Sequence, residues 1–85
     1  MQATSIFEIL PAGDNACVVG LERFMDGKEL HMEMPMRASR FRLCLTKWQR
    51  GAMIQNVFPD LDADQREFLM TGITPAEWAI MFKEE

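Results

Sequence analysis

The chain of 85 residues has one histidine, two cysteines and no CxxC pair. A Cys/His zinc set is therefore excluded, and so is a disulfide framework of the kind that stabilises small secreted domains. Cys17 and Cys44 stand far apart in apolar surroundings and read as two buried free thiols in a reducing compartment. No apolar run approaches the roughly 20 residues needed to span a bilayer, and no basic stretch leads into an apolar one at the N-terminus. The expected setting is the cytoplasm. A phosphate-cradling glycine motif, an internal repeat and a low-complexity linker are likewise missing.

What is present is a small globular composition. The apolar fraction is 48%, and a chain this short forms one domain, residues 1–85, with a thin margin of stability. Net charge is −4, distributed unevenly. Residues 1–36 sum to −4, residues 37–51 to +5 (Arg37, Arg40, Arg42, Lys47 and Arg50, with no acid), and residues 52–85 to −5. One basic element sits between two acidic stretches.

Residues 1–36 predict a three-stranded antiparallel meander. Residues 5–10 are β-prone and stop at the turn formers Pro11-Ala12-Gly13-Asp14-Asn15. Residues 16–21 form a second, continuously apolar run. Asp26-Gly27 signals a tight type I′ hairpin turn. In the third strand Leu30, Met32, Met34 and Met36 alternate with Glu29, His31 and Glu33, giving one packed and one wet face.

Pro35 closes the sheet region, and residues 37–85 predict three to four short helices. With Ser39 as N-cap, Phe41, Cys44, Leu45 and Trp48 fall at i, i+3, i+4 and i+7, one helical stripe that Gly51 terminates. A fourth strand is the competing reading, because Phe41, Leu43 and Leu45 also alternate. Residues 52–58 suggest a helical turn or two before Pro59. Asp62-x-x-Gln65 and Thr74-Pro75-x-Glu77 are two capping boxes separated by Gly72, so the last two helices form a corner. Trp78, Met81 and Phe82 are the expected buried stripe of the last helix. The fold class is α+β.

The wording of residues 48–82 resembles a group of small proteins carried by bacteriophages and other mobile elements. Their C-terminal halves are similar to IQxxFPxLxxxxREFLxTGxTPxEW, matched by Ile54-Gln55, Phe58-Pro59-x-Leu61, Arg66-Glu67-Phe68-Leu69-x-Thr71-Gly72-x-Thr74-Pro75-x-Glu77-Trp78. The matching residues are mostly capping, turn and core types, so no functional site is carried over. The resemblance implies a phage or prophage accessory protein in a bacterial host cell.

For chemistry, the residues point away from catalysis. His31 lies on the wet side of a strand beside Glu29 and Glu33, and reads as a solvated surface residue. Asp60, Asp62 and Asp64 lack the spacing of a calcium loop. No metal and no cofactor is expected. The last helix opens Thr74-Pro75-Ala76-Glu77, which would set a carboxylate against phosphates, so the corner is not read as a DNA-recognition unit.

Two surfaces remain. The acids Asp60, Asp64, Glu67, Glu84 and Glu85 offer a face to a basic protein partner, and the methionine-rich third strand offers an edge for a target or a second copy. The expected function is a phage-encoded protein-binding module acting without catalysis on a host protein or complex, such as an anti-CRISPR-like inhibitor of a defence complex. The alternative is a nucleic-acid-binding accessory or regulator using Arg40, Arg42, Lys47 and Arg50. A third option is a virion or assembly component. No membrane partner is expected.

Overall fold

The computed structural model describes residues 3–81. Strands β1 (Thr4–Pro11), β2 (Cys17–Arg23) and β3 (Glu29–Met34) form an antiparallel sheet in the order β1-β2-β3. Four helices follow: α1 (Ala38–Gln49), α2 (Ile54–Val57), α3 (Ala63–Thr71) and α4 (Pro75–Met81). The α+β meander-then-helices architecture expected from the sequence is the one observed.

A bulge decides which side chains of β1 reach the core. Strict alternation would turn Ile6 and Glu8 to the same side. Instead Ile6 pairs with Leu21 and Glu8 with Gly20, leaving Phe7 as the extra residue. Beyond this point the parity is reversed. Ile6 and Ile9 both pack on the core, while Phe7 and Leu10 are exposed.

The Asp26-Gly27 turn differs from the expected type I′. Arg23 N–H donates to the Lys28 carbonyl (2.8 Å) and Gly27 N–H to the Arg23 carbonyl (2.7 Å), so a longer loop joins β2 to β3. Only Gly27 takes positive φ (69°). Asp26 keeps a negative φ.

The inner face of the sheet (Cys17, Val19, Leu21, Met34) meets Phe41 and Cys44 of α1, Phe58 and Leu61 after α2, and Phe68 and Leu69 of α3. Phe58 is the hub among the aromatics, 5.1 Å from Phe41 and 6.2 Å edge-on from Trp48. Residues 38–49 are helical, not a fourth strand. The helix starts two residues earlier than Ser39 as N-cap implied. Arg37 occupies the N-cap in extended conformation, with no side-chain cap, and Gly51 (φ 107°) follows the C-terminal end.

The α3–α4 corner has the expected caps. Asp62 accepts from Gln65 N–H at 2.8 Å while the Gln65 side chain accepts from Asp62 N–H at 2.9 Å. Thr74 and Glu77 exchange the same kind of bonds at 3.2 and 3.0 Å. Gly72 closes α3 with φ 78°. The buried stripe expected for the last helix is not found. No residue of α4 is buried, Met81 is exposed, Trp78 is only half-buried, and Phe82 lies outside the described residues.

Candidate protein-binding groove

Arg23, a residue the sequence reading passed over, ties α4 to the sheet. Cys17, Val19, Leu21 and Arg23 share one side of β2, so the alternation that buries the first three also turns Arg23 inward. Its side chain is 4% exposed. Nε and Nη2 donate to the two Asp26 carboxylate oxygens at 3.1 and 2.9 Å, a bidentate pair. Nη1 donates to Glu77 Oε1 at 2.7 Å and to the Gly72 carbonyl at 3.0 Å. One guanidinium thus ties the β2–β3 loop to both sides of the α3–α4 corner.

The electrostatics follow from that geometry. The hydrogen bonds from Asp26 and then Glu77 push the Arg23 pKa above its ordinary value. Arg23, helped by the Lys28 N–H, lowers Asp26 to about 2. Arg23, helped by the Thr74 N–H, lowers Glu77 to about 2. The carboxylates stay 43% and 32% exposed while the guanidinium is buried. Solvent therefore meets two carboxylates over one buried cation, with Lys28 as a further positive charge acting on Asp26.

Above this clamp lies a groove of about 210 Å³ lined by Arg23, Met25, Ile73, Glu77, Ile80 and Met81. Met25 is 77% and Ile80 75% exposed, with Met81 and the adjoining Phe24 also exposed. An apolar trough with Glu77 and the buried Arg23 in its wall faces solvent.

The residues singled out from sequence lie elsewhere. Asp60 forms an ion pair with Arg40 at 3.0 Å. Glu67 accepts from the Thr71 hydroxyl at 3.0 Å, and Asp64 is exposed in the first turn of α3. Glu84 and Glu85 lie outside the described residues. On α1, an Arg42 Nη2 donates to the Ile9 carbonyl at 3.0 Å. Lys47 and Arg50 are exposed and make no ion pair among the described residues. His31 Nε2 sits 2.6 Å from Glu8 Oε2, over Gly20 and beside the Phe7 ring. Cys17 and Cys44 are buried free thiols, and burial pushes the Cys17 thiol up despite the opposing effect of Arg42. Among the described residues no group of three or more His, Cys, Asp or Glu side chains is placed to hold a metal ion. No helix among them is long and apolar enough to cross a membrane.

The groove could have been found from two signals. Extending the β2 alternation two residues beyond Leu21 places Arg23 inside, where a guanidinium requires acidic partners. In the last helix, the Thr74–Glu77 capping box leaves Glu77 facing back toward the corner. Comparisons with known protein families, curated proteins and solved structures find no match.

Proposed function

We propose that this chain is a protein-binding module of a bacteriophage or other mobile element, acting on a bacterial host protein by surface contact without catalysis, in the manner of an anti-CRISPR-like inhibitor. The observation that carries the reading is the groove. A small domain gains stability from every apolar group it buries, yet Met25, Ile80 and Met81 remain in water around one trough. Methionine is well suited to such a surface, because its flexible thioether adapts to different partners. Glu77 in the wall favours a partner segment that carries a Lys or Arg beside its apolar side chains. The phage context comes from the resemblance of residues 48–82. Affinity capture from bacterial lysate with the wild-type chain and with Ile80→Glu tests the reading. A host protein retained by the first and lost with the second supports it. Equal capture by both sinks it.

A second reading rests on Lys47 and Arg50, which are exposed and without an acidic partner among the described residues. Arg40 is neutralised by Asp60, whereas Lys47 and Arg50 are, with the exposed Arg37 and Arg42, free of acidic partners among the described residues and open to a nucleic-acid backbone. Binding to single- or double-stranded DNA that is steeply salt-dependent and lost in Lys47→Glu/Arg50→Glu would favour it. No binding at low salt removes it.

A further inference from the structure

We propose that the free edge of β3 receives an extended segment of another protein, added as a fourth strand, in which apolar residues alternate with Lys or Arg. This surface is separate from the groove and stands without it. β2 is the middle strand, so β1 and β3 are both edges of the sheet. The Arg23 N–H bonds to the Lys28 carbonyl, which sets the phase of the β2–β3 ladder. Leu30, Met32 and Met34 turn their backbone groups toward β2, and Glu29, His31 and Glu33 turn theirs outward. Among the described residues no hydrogen bond reaches those outward groups.

The two edges are built differently. β1 is interrupted by the bulge at Phe7 and ends at Pro11, Arg42 donates to the outward Ile9 carbonyl, and the Ala3 N–H bonds to the Met70 carbonyl. Bulges, prolines and covering side chains keep an edge from pairing with other chains. β3 has an unbroken register with β2, no proline and no Lys or Arg. Its side chains name the occupant. Glu29, His31 and Glu33 are exposed on the outer face of the sheet, to which no strand contributes a Lys or Arg. His31 is held by Glu8, while Glu22, Glu29 and Glu33 make no ion pair among the described residues. Lys28 acts on Asp26, and Arg37 stands beyond the strand at the start of α1. On the inner face Leu30 and Met32 are only partly buried, which leaves an apolar flank for an added strand to cover. A second copy fits poorly, because full antiparallel overlap of two β3 edges sets Glu29 of each against Glu33 of the other. A strand with Lys or Arg opposite these carboxylates and apolar residues between them fits both faces.

Selection from a displayed library of random dodecapeptides against the full chain provides the test, followed by amide exchange of the bound complex. Selected peptides are expected to alternate apolar residues with Lys or Arg and to bind less tightly in high salt. They are expected to slow exchange at Glu29, His31 and Glu33 and to leave residues 73–81 unchanged. Binding should vanish in His31→Pro, which removes the central outward N–H at a position where proline is tolerated because that N–H faces solvent. It should weaken by about tenfold in Glu29→Lys/Glu33→Lys, which leaves the backbone alone. Thermal melts check that both variants fold, and if His31→Pro does not, the lysine variant carries the test. Selecting no peptide, or peptides that bind the lysine variant as tightly as the wild type, overturns the proposal. Protection of residues 73–81 in place of 29–33 gives the peptides to the groove and overturns it too. A wild-type dimer in sedimentation velocity with exchange slowed at 29–33 gives the edge to a second copy, which also overturns it.

Discussion

Replacing Arg23 by methionine removes the guanidinium while keeping much of its volume. Four hydrogen bonds disappear: two to Asp26, one to Glu77 and one to the Gly72 carbonyl. The carboxylates are 43% and 32% exposed, so water takes over much of their solvation. The Gly72 carbonyl has no such recourse, because its residue is buried. An orphaned buried acceptor plus the lost charge-assisted bonds amounts to about 2–4 kcal/mol of destabilisation. A domain of this length has in total about 4–13 kcal/mol. At about 4–8 °C per kcal/mol, the midpoint of thermal unfolding should fall by about 8–32 °C. Scanning calorimetry or circular dichroism melts of the wild type, Arg23→Met and Arg23→Lys measure this. Lysine restores the charge but not the forked geometry and should recover only part of the loss. If Arg23→Met melts within about 2 °C of the wild type, the clamp contributes nothing net and α4 is held by something else.

Lowering the pH should attack the same clamp. Asp26 and Glu77 have folded-state values of about 2, below the ordinary 3.8 and 4.5. Their contribution is complete above those ordinary values and is lost as the pH falls through about 2, so the melting temperature should drop across that interval and drop less in Glu77→Gln. Gly72→Ala meets a φ of 78° and places a Cβ 3.1 Å from Arg23 Cδ, whereas Gly13→Ala meets only an unfavourable φ in open space. Chemical denaturation should show a loss of about 1–3 kcal/mol for Gly72→Ala and a smaller one for Gly13→Ala. Cys17, buried and with its thiol pKa raised, should react with a thiol reagent only on unfolding, so its labelling rate in native buffer should track global opening.

The sheet and the helical corner were readable from sequence because their signals are local. Alternation in β3, the two capping boxes and Gly72 each act within a few residues of where they appear. The features that were misread depend on contacts distant in sequence. The bulge at Phe7 answers to the need to bury both Ile6 and Ile9 against β2. The Asp26-Gly27 turn takes another form because Asp26 serves Arg23 and its own loop. The α4 stripe pattern of Trp78 and Met81 is helical in period but stays outside the core cluster, with Trp78 half-buried and Met81 exposed. Partners of Arg23 lie 49 and 54 residues away along the chain, and no window of sequence joins them. Acidic Asp60 and Glu67 looked available because their partners, Arg40 and Thr71, become apparent only with the fold.

The clamp and groove form one proposal: a buried arginine ties α4 to the sheet, and the trough beside it is proposed to receive a partner. Amide hydrogen exchange of the chain, free and in complex with the host protein it captures, tests that claim most directly. The account predicts that exchange slows in residues 24–28 and 73–81 on binding. Unchanged exchange there, with protection confined to residues 37–50 or 60–67, would contradict it.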